Sequence, residues 1–183
     1  GRQFGGCMAV GYLPDMFGHI AQMPQVLRGF GIESAVIWRG APHGLPNETI
    51  WEGLDGSRVF ALKLSDEGGY MNAQDLPRDP QAAWTRLEKV VSGLAPRAAT
   101  GHVLLMNGVD QARAQEDLPD ILVDLNRLKR GIRFVQDALP GYARTVRSAR
   151  RSWRTTRGEQ RIPNSVFSWK YVFDGTASSR ADL

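Results

Sequence analysis

The chain of 183 residues contains one cysteine and three histidines. A lone cysteine, Cys7, excludes an internal disulfide and makes a reducing compartment the default; we expect a cytoplasmic protein. Cys7 lies in an apolar run and is expected to be a core thiol. His19, His43 and His102 are scattered, without the close spacing of a helical or loop metal motif, so they make no metal centre by themselves. No apolar run approaches the ~18 residues of a membrane span. No basic start followed by a long apolar block marks a signal peptide, so no membrane partner is expected. Internal repeats and low-complexity tracts are lacking too. The chain begins with Gly1, not Met, and residues 1–4 read like the tail of a helix, which suggests an excerpt.

Acidic residues are scarce in one place. Residues 142–161 hold Arg144, Arg147, Arg150, Arg151, Arg154, Arg157 and Arg161 against Glu159 alone. The net charge of +4 therefore describes one segment, and the remainder of the chain is slightly acidic.

What is present reads as strands alternating with helices. Residues 7–13 (CMAVGYL) read as a buried strand, 21–29 as a short helix with Pro24 in its first turn, and 34–38 (SAVIW) as a second strand. Residues 50–54 and 58–64 flank Asp55-Gly56, a hairpin signal. Residues 64–76 are polar and Gly-rich and read as a surface loop. Asp79-Pro80 opens a helix to about Leu94, with Asp79 as N-cap. Residues 102–106 (HVLLM) read as a strand, 117–129 as a helix, 132–135 as a strand and 137–151 as a helix. Residues 154–164 are polar and turn-rich, and 165–173 (SVFSWKYVF) are apolar and aromatic. Such alternation implies an α/β protein with a mainly parallel sheet and the hairpin as an insertion.

Two acids hold matching places in this plan. Asp15 follows the first strand and Asp110 follows the strand at 102–106. In parallel β/α folds both project from the C-terminal sheet edge into one cleft. Paired carboxylates across a cleft are the parts of glycoside hydrolysis, one as nucleophile or base and one as acid. Either could instead be an N-cap or a turn residue.

The run Leu13-Pro14-Asp15-Met16-Phe17-Gly18-His19, followed by Gln22-Met23-Pro24-Gln25, Gly29-Phe30-Gly31-Ile32 and Trp38-Arg39-Gly40, resembles the family 38 glycoside hydrolases, the α-mannosidases, in their bacterial branch. LLMNGVDQ at 104–111, with Asp117-Leu118-Pro119, resembles the family's acid-bearing strand, and Gly158-Glu159-Gln160-Arg161 resembles its lead-in to a helical middle domain. The resemblance implies a partial N-terminal catalytic domain. The fold would be an incomplete parallel β/α barrel, seven-stranded in the family, over 1–151, with 152–183 a truncated connection toward the helical domain.

The resemblance also implies roles. Asp15 matches the nucleophile, which is also a zinc ligand. Asp110 matches the acid/base. Arg39 lies near the bound sugar, where a fixed cation suits a carboxylate neighbour, and Trp38 and Tyr70 are placed to bind substrate. His19 is placed beside the site and not as a ligand. The family's zinc site further needs a His-x-Asp pair and a later histidine. No His-x-Asp occurs here and no histidine follows His102, so those ligands are expected outside the chain. The implied activity is retaining hydrolysis of terminal α-mannosidic bonds in a mannoside or mannose-containing oligosaccharide. Two alternatives stand beside it. One is a catalytically inactive remnant or carbohydrate-binding fragment. The other is a nucleic-acid binder using the Arg-rich segment 144–161, whose Arg144, Arg147, Arg151, Arg154 and Arg157 would share one helical face, with Trp153 stacking on a base.

Overall fold

The structure, a computed structural model, describes residues 3–149 and 152–162. Five strands form one sheet among these residues: β1 (Gly11–Leu13), β2 (Ser34–Ile37), β3 (Glu48–Glu52), β4 (Arg58–Lys63) and β5 (Thr155–Arg157), in the order β1-β2-β4-β3-β5. β1, β2 and β4 run parallel; β3 is antiparallel to β4 and parallel to β5. The sheet is therefore mixed. The hairpin is not an insertion beside it, because β4 pairs directly with β2.

Around the sheet lie α1 (Met23–Gly29), α2 (Pro80–Leu94), α3 (Leu118–Arg127) and α4 (Leu139–Arg147). α2 starts where a cap and a proline direct it: Asp79 accepts a hydrogen bond from the Ala82 amide, and Pro80 stands where no N–H is needed. Alternation along the strands divides the core. Val36, Trp38, Phe60 and Leu62 pack with Ala143 and Val146 of α4. Ala35, Ile37, Val59 and Ala61 pack on the other face with Leu27 of α1 and Trp51. A third cluster joins α2 to α3 through Trp84, Leu87, Ile121 and Leu125. Among the described residues no helix is long and apolar enough to cross a membrane.

Several expectations are corrected. β1 begins only at Gly11, and Cys7 is exposed, because the residues before Val10 do not enter the sheet. Residues 102–106 form no strand. The Asn72 side chain takes the place of a neighbouring strand, accepting from the Met106 amide at 2.7 Å and donating to the Leu104 carbonyl at 3.3 Å. Residues 132–135 are clamped in the same way by Asn126, which accepts from the Phe134 amide at 2.8 Å and donates to its carbonyl at 2.9 Å. The 64–76 loop is not a surface loop: Tyr70, Asn72, Ala73 and Leu76 are buried. Residues 154–164 read as polar and turn-rich, yet Thr155–Arg157 adds a strand to the sheet. The arginine face does not exist either. α4 ends at Arg147, and Arg157 lies on β5 paired to Glu52. The apolar segment 165–173 lies outside the described residues.

Candidate active site at the C-terminal sheet edge

Strand register sets the site. Leu13 pairs with Ile37, and Ile37 with Lys63, so the three parallel strands end side by side. Asp15 and Arg39 each lie two residues past a paired position. The Arg39 amide donates to the Pro14 carbonyl at 3.3 Å, tying the two strand exits together. At that corner Arg39 Nε donates to Asp15 Oδ1 at 2.5 Å. The Arg39 side chain is only 8% exposed, while that of Asp15 is 47% exposed. The cation is thus held by the protein and the carboxylate faces outward.

Aromatic rings hold Arg39 in place. Its guanidinium carbon stands 4.4 Å from a Trp38 ring centroid and 4.9 Å from that of Phe17. Cation–π contacts of this kind gain strength when desolvated. Trp38 has no exposure at all. It therefore does not meet a substrate as expected. Its ring supports Arg39 and, edge-on at 5.5 Å, Tyr70. Gly69, at φ +46°, makes that second contact possible, since a Cβ there would stand 2.4 Å from the Trp38 ring.

Tyr70 completes a chain of contacts. Its hydroxyl donates to Asp110 Oδ2 at 3.0 Å. Asp110 is exposed and precedes Gln111, which adopts φ +61°. Three side-chain amides anchor its segment. Asn72 holds Leu104 and Met106, Asn107 donates to the Ala73 carbonyl at 2.8 Å, and Gln115 exchanges hydrogen bonds with the Leu76 backbone. The loop that carries Tyr70 thereby also positions Asp110.

The two carboxylates act on common neighbours. Burial raises the Tyr70 hydroxyl above its ordinary pKa, helped by its hydrogen bond to Asp110 and the field of Asp15, against the opposing pull of Arg39. Tyr12 is raised too, first by burial and then by the fields of Asp110 and Asp15. Tyr12 was not singled out in the sequence, although its alternation on β1 sends it to the exposed side. Asp15, Arg39, Tyr70 and Asp110 are thus brought together with Trp38 beneath them. His19 stands apart. It is 2% exposed, and its ring meets Trp51 edge-on at 5.4 Å. Both ring nitrogens are buried without a hydrogen-bond partner, and burial pushes the imidazole down to about 4, only partly offset by the nearby Leu13 backbone. No group of three or more His, Cys, Asp or Glu side chains that could hold a metal occurs among the described residues.

An α/β sheet edge that presents two carboxylates, one steadied by a buried cation and one by a phenol, has the parts of a glycoside hydrolase. The chain matches the family described as "Glycosyl hydrolases family 38 N-terminal domain" across residues 1–170, and it belongs to that family. It is 36% identical over 122 residues to the "Putative mannosylglycerate hydrolase" of Halalkalibacterium halodurans, covering 60% of this chain and 13% of that protein. It is 44% identical over 63 residues to "Alpha-mannosidase G" of Dictyostelium discoideum, covering 32% of this chain and 6% of that protein. The crystal structure of an α-mannosidase from Enterococcus faecalis superimposes with a TM-score of 0.80 at 26% identity, covering 87% of this chain and 18% of that one. The chain thus spans a small fraction of the length of the proteins it matches.

Proposed function

We propose that the chain carries the two catalytic carboxylates of an α-mannosidase that cleaves terminal α-mannosidic bonds with retention, working within a longer polypeptide. The observation that carries this reading is the linked pair Asp15–Arg39 and Asp110–Tyr70, both resting on Trp38 in a family 38 chain. The substrate is a mannoside or a mannose-containing oligosaccharide, in keeping with the named activities of its relatives.

In the first step Asp15 attacks the anomeric carbon while Asp110 gives a proton to the departing glycosidic oxygen. Arg39 aims the Asp15 carboxylate, since Nε fixes one of its oxygens. In the second step Asp110 removes a proton from water, and that water releases the sugar from the ester. Retention of this kind places the carboxyl groups about 5–5.5 Å apart. Tyr70, with its pKa raised, keeps its proton through the neutral range and remains a donor to Asp110 in its ionised state.

The reading includes zinc, with half-exposed Asp15 as one ligand and the others supplied from outside this chain. Zinc takes about four ligands. The described residues hold no such group and do not by themselves fit the ion, so the steps above run through side chains alone.

The test is hydrolysis of an aryl α-mannoside by the longest natural polypeptide that contains this chain. We expect turnover, and a loss on the order of 10⁴-fold in Asp15→Asn, the scale found when a member of a covalent catalytic unit is removed. A well-folded wild type that leaves α-mannosides intact with zinc present would remove the reading.

A further inference from the structure

The loop that carries Asp15 is closed by a segment some 140 residues later in the chain. His19 and Gln160 exchange backbone hydrogen bonds, each at 2.9 Å, as an isolated antiparallel bridge. The Ile162 amide donates to the Gly40 carbonyl at 3.0 Å. Upstream on the same segment, Trp51 Nε1 donates to the Gly158 carbonyl at 2.7 Å. Residues 158–162 therefore lie as a strap across the end of the Asp15 loop and the residue that follows Arg39. Gln160 is itself 2% exposed.

Gly40 is the joint. It adopts φ +81°, and a Cβ there would stand 2.2 Å from the Gln160 carbonyl oxygen and 2.8 Å from Gly18 Cα. Real side chains do not tolerate such distances to backbone, so any other residue must lift the strap, the Gly18 turn or both. Gly18 lies in the loop that bears Asp15, and Gly40 adjoins Arg39.

We propose that the strap of residues 158–162, seated on Gly40, is a positioning element for the Asp15 carboxylate. It holds loop 14–19 against the Arg39 corner, so that the nucleophile is aimed before substrate arrives. The inference rests on the assignment of Asp15 as nucleophile. Its residues do not touch the reacting atoms; they act through the backbone that bears Asp15. Misplacing a reacting group by about 1 Å can cost about 100-fold in rate.

The test compares Gly40→Ala with Gly44→Ala in the longest natural polypeptide that contains the chain. Gly44 also adopts a left-handed conformation, φ +68°, but a Cβ there meets nothing within 4 Å. Both variants carry backbone strain; only Gly40→Ala opens the strap. Three readouts are taken below the unfolding temperature of each variant: kcat and KM on an aryl α-mannoside, the rate of covalent capture of Asp15 by an activated fluorosugar of mannose, and amide hydrogen exchange of peptides covering 14–19 and 158–162. We expect Gly40→Ala to lose about 100-fold in kcat and in capture rate with KM little changed, and to exchange faster in both peptides. Gly44→Ala should match the wild type in all three, even where its melting temperature falls. Equal kcat losses in the two variants, or a Gly40→Ala enzyme with wild-type capture rate, would overturn the proposal. Should the wild type itself prove inactive, the functional reading fails. Exchange then decides separately whether the strap closes the loop, and unchanged protection in Gly40→Ala overturns that too.

Discussion

The two edges of the sheet contain similar residues put to different use. At the C-terminal edge, Arg39 meets Asp15 between the rings of Trp38 and Phe17, with its side chain 8% exposed. At the N-terminal edge, Arg28 and Arg147 both reach Glu33, beside Phe60 and Trp153. There the arginine side chains are 41% and 44% exposed and Glu33 is 52% exposed. Arginine, carboxylate and aromatic ring occur at both edges, so composition does not separate them. Burial of the cation does. An arginine packed between rings keeps one geometry whether or not its carboxylate is present. A solvated arginine trades its partner for water at little cost. Only the first holds its carboxylate partner in a fixed direction.

The largest break in this comparison comes from Arg39→Lys set against Arg28→Lys. Lysine keeps the charge but loses the planar fork and the stacking on Trp38. We expect kcat/KM for an aryl α-mannoside to fall about 100-fold in Arg39→Lys, the scale of a lost fixed donor at a reacting group. Arg28→Lys should remain within about threefold of wild type, as suits a screened surface pair. Comparable losses in the two variants, with intact circular dichroism spectra, would mean that burial of Arg39 confers nothing on the site.

Much of the C-terminal edge was legible in the sequence. Asp15 was located by an apolar strand ending in Leu-Pro and followed by an amphipathic helix. The α2 start was written in Asp79-Pro80, and the β3–β4 hairpin in Asp55-Gly56, where Asp55 indeed accepts from the Ser57 amide. What could not be read is what depends on a single polar side chain acting over distance. Asn72 and Asn126 each offer a donor and an acceptor, and so stand in for a whole neighbouring strand. In a Gly-rich stretch, Asn72 looks like any surface amide. Trp38 was placed on the substrate through the resemblance of Trp38-Arg39-Gly40, and such a motif reads the same whether its aromatic residue is buried or exposed. β5 was missed because three residues, Thr-Thr-Arg, carry little periodicity. They become a strand only because β3 presents an edge to them.

The second prediction sharpens the contrast through pH. At the far end of the Asp15 loop, burial reaches His19, whose imidazole is held at about 4 against an ordinary 6.5. The unfolded chain thus binds a proton between those values that the folded chain refuses. Stability should be full above pH 6.5, fall as pH drops from 6.5 to 4, and lose no more from this group below 4. The shift corresponds to roughly 3 kcal/mol as an upper figure. His19→Phe, which keeps an aromatic edge on Trp51, should flatten that part of the profile in urea unfolding at pH 7 and pH 4.5. An unchanged slope in the variant would show that some other group accounts for the acid sensitivity.

The smallest effect is expected at the N-terminal edge, and its smallness is informative. Arg28 and Arg147 hold the Glu33 carboxyl below its ordinary range, Arg28 through the stronger hydrogen bond. A carboxylate with a depressed pKa lends stability above its unfolded value and loses it as pH falls through the folded one. Arg147→Gln should therefore lower the melting temperature by no more than about 2 °C near pH 7. The difference should vanish once Glu33 is protonated in acid, and also in about 1 M salt, where screening reaches about 3 Å. Arg147 also stands 6.0 Å from the Phe60 ring centroid, a contact that salt screens less. A loss that survives both acid and salt would therefore trace to that ring contact. It would show that the N-terminal edge, like the opposite one, uses an aromatic surface to hold a cation in place.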